Sequence, residues 1–332
     1  MKIIVDAMGG DHAPGVVVEG AVEAVKEYKE EIVLVGEPSQ IEPVLKRFEY
    51  PKDKIFIYPA RETILMHELP AISVRKKKGS SIVVGINLIK ELKGDAFFSA
   101  GNTGAVVCAA SMDLGLLPGV ERPGIALVIP TIKGISLIID VGANINPKPL
   151  HLLQYGIMGS AYLESIFNKP QPTVGLLNVG EEETKGTDFV KETYDLLSKS
   201  NLNFIGNIEG KSIFSGKCDV IVCDGFVGNV ALKVMEGAVE TMQFFLKRYL
   251  LKTSLKGKIG FFLIKDTFSK FKKDLNYAEY GGATLLGVNG VVIIGHGRSN
   301  ARAVKNAIRV AIEEVKRKIN QRIIEAITHL KK

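Results

Sequence analysis

Cysteine is scarce in this 332-residue chain: Cys108, Cys218 and Cys223 are the three, at spacings that fit no zinc or haem pattern. An odd, scattered set excludes a disulfide framework and points to a reduced, cytosolic setting. Long hydrophobic runs are missing as well. No stretch approaches the roughly 18 apolar residues that a spanning helix needs, so nothing is expected to cross a membrane. The opening run Lys2-Ile3-Ile4-Val5-Asp6 has strand length and carries no secretory h-region or cleavage site. Linker-like composition, internal repeats and low-complexity segments are absent. So are the common signatures of covalent and metal catalysis: there is no G-x-S-x-G, no H-E-x-x-H and no cysteine beside a histidine. No metal and no cofactor is implied.

What is present reads as a soluble globular protein, with 46% hydrophobic and 24% charged residues. A chain this long buries roughly three quarters of its unfolded surface and needs no covalent staple. Short apolar runs at 3–6, 32–36, 55–58, 96–99, 125–129, 135–140, 174–177, 220–223 and 291–295 read as strands. Several are apolar throughout, as parallel strands covered on both faces are. Helical patterns at 16–28, 41–48, 103–116, 150–167 and 187–198 alternate with them. Strand then helix, repeated, predicts an α/β fold with a doubly wound, mostly parallel sheet. Only five residues join 125–129 to 135–140, too few for a crossover, so an antiparallel hairpin interrupts that sheet. The whole of 1–332 reads as one large, two-lobed catalytic unit. From Ser299 onward neither Gly nor Pro occurs, and Val304, Ile308, Ala311, Val315, Ile319 and Ile323 keep one apolar stripe. A single long helix reaching past the core toward a second subunit is the expectation.

The net charge of +7 is unevenly placed: residues 247–273 alone carry +8 and the rest of the chain −1. A neutral protein with one basic patch argues against nucleic acid and for an anionic surface or an acidic partner. Within this basic helical excursion at about 247–277, Phe261, Ile264, Phe268, Phe271 and Leu275 keep helical spacing, and Phe262 and Leu263 add bulk beside them. Lysines off an apolar stripe read as a helix lying on a membrane surface, or as one packed on its own core or a second subunit. Arg75-Lys76-Lys77-Lys78-Gly79-Ser80-Ser81 is a second basic run, read as a solvated loop.

Two nucleotide-like patterns fail. Gly206 and Gly210 before Lys211-Ser212 are four apart where a phosphate-binding P-loop needs five. Gly295-His296-Gly297 follows a strand, but no second strand or ribose-binding acid comes after its helix. Glycine-rich turns remain: Asp6-Ala-Met-Gly9-Gly10-Asp11-His12, Ser99-Ala-Gly101-Asn102-Thr103-Gly104, Asp140-Val-Gly142-Ala143-Asn144, Asn178 to Gly186, and Asp224-Gly-Phe-Val-Gly228-Asn229. Each follows a strand, and together they are expected at one sheet edge, where glycines let N–H groups approach an anion. Phosphate is the simplest such ligand. Lys185 is the one cation in these turns; it either neutralises the ligand or is solvated beside Glu181, Glu182 and Glu183. With no evident nucleophile, chemistry run by positioning and charge fits best.

Six motifs in order, Asp6-Ala-Met-Gly-Gly-Asp11, Ser99-Ala-Gly-Asn-Thr-Gly104, Leu177-Asn-Val-Gly-Glu181, Gly206-Asn-Ile-Glu-Gly210, Cys223-Asp-Gly-Phe-Val-Gly-Asn229 and Tyr280-Gly-Gly-Ala283, resemble the bacterial phosphate acyltransferases of phospholipid synthesis (PlsX-type). The resemblance implies transfer of a fatty acyl group from acyl-acyl carrier protein to inorganic phosphate. It also implies a fold like the phosphotransacetylases and isocitrate/isopropylmalate dehydrogenases, and a cytoplasmic homodimer working at the membrane beside a membrane acyltransferase. On that reading Lys185 and Asn229 are the catalytic residues. Asp6, Gly9, Gly10, His12, Gly101, Asn102, Thr103, Gly104, Asn144, Asp224 and Gly228 bind phosphate or substrate, and Phe261, Phe262, Leu263, Ile264, Phe268 and Phe271 contact membrane. The chain departs from the pattern at Asn146-Pro147-Lys148, where an acid and a cysteine are common, and at Thr284, where proline is. A coenzyme A-dependent phosphotransacetylase, a membrane scaffold and a dehydrogenase are the alternatives.

Overall fold

A computed structural model describes residues 1–252 and 281–329. The segment carrying Phe261, Phe262, Leu263, Ile264, Phe268 and Phe271 lies outside the described residues, as do Tyr280 and Leu275. Among the described residues one eleven-stranded sheet runs in the order β3-β2-β1-β4-β11-β10-β5-β6-β9-β7-β8. The strands are β1 (Lys2–Asp6), β2 (Glu31–Gly36), β3 (Ile55–Pro59), β4 (Ala96–Ser99), β5 (Gly124–Thr131), β6 (Gly134–Ile139), β7 (Thr173–Asn178), β8 (Asn203–Glu209), β9 (Val220–Val222), β10 (Ala283–Leu286) and β11 (Val291–Ile294). Apolar residues on both sheet faces are buried, Ile3 and Val5 under one layer of helices and Ile4 and Phe97 under the other. The expected doubly wound sheet and the β5–β6 hairpin are both present.

Helices α1 (Gly15–Tyr28), α2 (Pro38–Leu45), α6 (Pro149–Phe167), α7 (Asp188–Ser198), α9 (Ala301–Lys316) and α10 (Ile319–His329) cover the first face. Helices α3 (Pro70–Lys76), α4 (Ser81–Lys90), α5 (Thr103–Ala109) and α8 (Gly225–Lys252) lie on the second. The basic run at 75–81 is thus the end of α3 and the start of α4, with Ser80 and Ser81 buried, rather than a loop. The pattern also missed β8, an edge strand broken up by Gly206 and two asparagines, and β10, four residues behind two glycines.

Two expectations are corrected. The C-terminal stretch is two helices, because Lys318 takes a left-handed φ of 54° and turns the chain. The stripe is then consumed inside this chain: Val304, Ile308 and Ala311 on α9 and Ile319 and Ile323 on α10 are all buried in the core. The second correction concerns the glycine-rich turns. β11 is parallel to β4 but antiparallel to β10, β10 is antiparallel to β5, and β5 to β6. Since β9 and β7 are parallel to β6 and to each other, they run opposite to β1 and β4. The carboxyl ends carrying Asp6–His12 and Ser99–Gly104 therefore lie on one edge of the sheet, and those carrying Asp140–Asn144, Asn178–Gly186 and Asp224–Asn229 on the other.

Glu314 of α9 is fully buried, where its Oε1 accepts from Thr284 Oγ1 at 2.6 Å and Tyr162 Oη at 3.0 Å. Its Oε2 has no hydrogen-bond partner among the described residues. Burial pushes this carboxyl up from the usual 4.5 to about 8. A folded-state pKa above the unfolded one means that stability is full below about pH 4.5 and declines as pH rises toward 8. The melting temperature of Glu314→Gln should lose that part of the decline, and identical pH slopes in variant and wild type would contradict the assignment.

Candidate functional site

Each of the two groups of turns is organised by a buried carboxylate at the end of a strand. Asp6, closing β1, accepts from Ser99 Oγ at 2.6 Å and from the Met8 N–H at 3.0 Å. Burial raises its pKa, against hydrogen bonds from Ser81, Ser99 and the turn backbone that lower it. The turns after β1 and β4 are pressed together at Gly9, where an added Cβ would lie 2.7 Å from the Gly101 nitrogen and 2.5 Å from Asp6 Oδ2. Gly10, at φ +104°, meets the turn after β11, and the Asp11 N–H donates to the Gly297 carbonyl at 2.8 Å. Asn102 caps α5, its Oδ1 accepting from the Ala105 N–H at 3.0 Å. Its Nδ2 donates to the carbonyls of Leu65, Met66 and Glu68. Thr103 opens α5 half-buried, Gly104 packs on Pro70, and His12 is exposed.

On the opposite edge Asp140 plays the corresponding part. Its Oδ1 accepts from the N–H groups of Ile125, Gly142 and Ala143 at 3.0, 2.9 and 2.9 Å, and its Oδ2 from that of Asn144 at 2.7 Å. Burial raises this pKa too, against those four donors. The Asn144 side chain turns inward, donating to the Pro123 carbonyl at 2.6 Å and Tyr155 Oη at 2.8 Å. Asp224 caps α8, accepting from the Phe226 and Val227 N–H groups at 2.9 Å each. The helix begins at Gly225, and the preceding aspartate occupies its N-terminal donors. Asn144 and Asp224 thus both serve to hold their turns. Asn229 is exposed one turn into α8, its side chain 3.7 Å from where a Cβ on Gly142 would stand. Lys185 is exposed in the β7–α7 loop, its stem over Gly180. That loop is pinned by Asn178, whose Nδ2 donates to the Lys185 carbonyl at 3.1 Å.

Helix α8 joins the two edges, and it brings in residues that the sequence reading passed over. Asn229, Lys233, Glu236 and Glu240 follow at helical spacing, so they share one stripe. Lys233 Nζ donates to Glu236 Oε2 at 2.9 Å, and Glu236 Oε1 stands 4.0 Å from His296 Nε2. Arg298, two residues on, donates to Glu240 Oε1 at 3.0 Å. His296 Nδ1 accepts from the Arg298 N–H at 3.1 Å, which leaves the proton of a neutral ring on Nε2, facing Glu236. Burial lowers the His296 pKa, and the charges of Glu236 and Asp11 oppose the shift. From Asn229 to Glu236 the helix rises about 10 Å, so this stripe leads from the Gly142 turn to the Gly297 turn. Counting in steps of three and four from Asn229 would have found it.

Among the described residues no group of three His, Cys, Asp or Glu could hold a metal ion. The thiols of Cys108, Cys218 and Cys223 are all pushed up by burial, Cys218 to about 12, so none is poised as a thiolate. The arrangement sets exposed cations and the Asn229 amide beside turns whose N–H groups are largely held by Asp140 and Asp224.

This architecture is shared with solved phosphotransacetylases. The Streptococcus pyogenes phosphotransacetylase superposes with a TM-score of 0.63 over 95% of this chain and 94% of that one, at 17% identity. A 4-hydroxythreonine-4-phosphate dehydrogenase from Klebsiella pneumoniae gives 0.54 over 95% and 99%, at 13% identity. The chain is thus an α/β protein of the fold common to these enzymes. By sequence it belongs to the fatty acid synthesis protein family, whose profile matches residues 1–322. It is 51% identical over 332 residues to the phosphate acyltransferase of Dictyoglomus turgidum, covering 99% of this chain and 98% of that protein. Identity to the phosphate acyltransferase of Alkaliphilus oremlandii is 49%, with the same coverage.

The contact at Gly228 supplies a direct check on this geometry. A Cβ there would fall 1.9 Å from the Asp140 carbonyl oxygen, a backbone atom. Gly228→Ala should cost at least about 1–3 kcal/mol, the usual range for overpacking, and displace the first turns of α8. Chemical denaturation reads the loss; a variant as stable as wild type would mean that α8 is seated differently.

Proposed function

We propose that this chain transfers a fatty acyl group from acyl-acyl carrier protein to inorganic phosphate, giving acyl phosphate for glycerophospholipid synthesis. The observation that carries the reading is its 51% identity, over almost its whole length, to a phosphate acyltransferase. The site's chemistry is consistent with it. An oxygen of hydrogen phosphate bonds the thioester carbonyl carbon, the C–S bond breaks, and the phosphate proton ends on the carrier thiol. Phosphate is already an anion at neutral pH and thiolate is a fair leaving group, so no acyl-enzyme is needed. What the protein must supply is orientation and charge.

On this reading phosphate lies beside α8, between the two groups of turns. Lys185 balances the charge that develops on the carbonyl oxygen or on phosphate. Asn229 donates from its amide, since the N-terminal N–H groups of α8 are taken by Asp224. Thr103 and the 101–104 turn contribute from the other edge. Lys233, paired with Glu236, is a second cation beside Asn229.

The chain works as a homodimer at a membrane surface. Phe226, Val230 and Val234 form an apolar stripe on α8 at i, i+4 and i+8, and are 60, 48 and 65% exposed. A second copy is its occupant, readable in solution as twice the 36.1 kDa chain mass. Among the described residues no helix is long and apolar enough to cross a membrane. The +8 charge of residues 247–273 supports reversible binding to anionic lipid, at about 1 kcal/mol for each basic residue near the surface. Flotation with anionic vesicles should therefore fade with salt and disappear in Phe262→Glu/Leu263→Glu. Persistent flotation of that variant would assign membrane binding to another surface.

Incubation with palmitoyl-carrier protein and phosphate should yield acyl phosphate that hydroxylamine traps, together with free carrier thiol. Product from palmitoyl-coenzyme A alone would indicate a phosphotransacetylase, and product from neither would refute acyl transfer. Lys185→Met should lower kcat by about 10²–10³ with the fold intact, the range for losing one donor to a developing oxyanion. Turnover within threefold of wild type would remove Lys185 from the chemistry.

A further inference from the structure

The loop between β3 and α3 combines features that rarely occur together: it is tightly held, yet its apolar side chains face solvent. Three of its carbonyls, those of Leu65, Met66 and Glu68, receive hydrogen bonds from the one Asn102 amide at 3.1–3.2 Å. Glu68 ties it from the other side, accepting from the Leu65 N–H at 3.2 Å, Ser73 Oγ at 2.7 Å and Lys77 Nζ at 2.6 Å. These donors hold the Glu68 carboxyl down at about 2. Even so Leu65, Leu69 and Ile72 are 49, 67 and 49% exposed. An apolar cluster on a rigid frame marks an interaction surface.

Cations stand beside this cluster. Within the basic run at the end of α3, Lys77 is spent on Glu68 and on the Thr63 carbonyl. Arg75, Lys76 and Lys78 are exposed and form no ion pair among the described residues. The patch also borders the candidate site. Pro70 Cγ lies 2.5 Å from where a Cβ on Gly104 would stand, and Met66 Cε 3.3 Å from the corresponding point at Gly297. Whatever settles on α3 is adjacent to the turns that close β4 and β11.

We propose that this surface docks the acyl carrier protein, an acidic partner whose carboxylates meet Arg75, Lys76 and Lys78 while its acyl-thioester arm crosses Leu65, Leu69 and Ile72 into the turns. The inference rests on the acyl-transfer reading above and names where its protein substrate binds. Charge complementarity at such a rim acts mainly on encounter, so it belongs in KM rather than kcat.

The test is charge reversal, Arg75→Glu/Lys76→Glu/Lys78→Glu, with Leu69→Ser/Ile72→Ser as an independent second variant. Steady-state rates are measured on palmitoyl-carrier protein and on palmitoyl-pantetheine, which has no protein to dock. The expected result is a KM for the carrier substrate raised about tenfold or more in each variant; the charge-reversed variant keeps kcat and the palmitoyl-pantetheine rates within twofold of wild type, whereas Leu69→Ser/Ile72→Ser also raises the palmitoyl-pantetheine KM, because that substrate carries the same arm. An unchanged carrier KM overturns the proposal and moves docking elsewhere, residues 247–273 being the other basic surface. Equal losses on both substrates in the charge-reversed variant also overturn it, because those residues would then act in the chemistry or the fold. Should wild type make acyl phosphate from neither substrate, the acyl-transfer reading itself fails. Fluorescence anisotropy of labelled carrier protein then decides docking alone: binding lost in the charge-reversed variant supports it, and equal binding refutes it.

Discussion

Helix α8 can begin where it does only because residue 228 carries no side chain. The Asp140 carbonyl occupies the space that a Cβ would fill, and Gly225 meets the Asn144 backbone in the same way. Two glycines on one face of the first turn let the helix rest directly on the turn after β6. From that seat the remaining geometry follows. Asn229 faces Gly142, and the stripe through Lys233 and Glu236 climbs toward His296 and Arg298. A helix shifted by one side-chain diameter would reach neither edge correctly.

The close seating matters because the sheet reverses direction. An open sheet with all its carboxyl ends on one edge gathers a site without help. Here three successive antiparallel pairings, β11–β10, β10–β5 and β5–β6, reverse the sheet an odd number of times, so the turns after β1 and β4 end up opposite those after β6, β9 and β7. A long helix across the face is the element that touches both groups. The carboxylates Asp6 and Asp140 hold the two groups of turns in shape by collecting hydroxyl and N–H donors at the strand ends. Many of the donors counted from the sequence as anion ligands are committed to these aspartates and to the caps Asn102 and Asp224. Lys185, Asn229 and Lys233 keep exposed side chains beside these turns.

Much of the fold could be read from local pattern. Nine strands and the hairpin follow from apolar runs and a five-residue connection, because those signals depend only on neighbours in sequence. The direction reversal was hidden because it is decided by which strands pair: the β5–β6 hairpin was legible, but β10, the four-residue strand that sets β5 in the same direction as β4, was not. The break between α9 and α10 escaped because its left-handed residue is Lys318, with no Gly or Pro to announce it. At the site, the turns were legible as turns, while the division of labour within them was not. Asn144 and Asp224 also hydrogen-bond to neighbouring backbone and side chains, and such bonding leaves no trace in composition. Lys233 and Glu236 left a periodic signal from Asn229, overlooked because the segment reads first as an apolar helix.

The central claim is that phosphate attacks the thioester directly, held by charge and amides, with the protein never acylated. The most direct test is intact-protein mass after incubation with palmitoyl-carrier protein in the absence of phosphate, followed by addition of phosphate. The account predicts an unmodified protein mass and no carrier thiol until phosphate is added, then thiol and acyl phosphate in equal amounts. A palmitoyl adduct on the protein before phosphate arrives, discharged when it does, would contradict it.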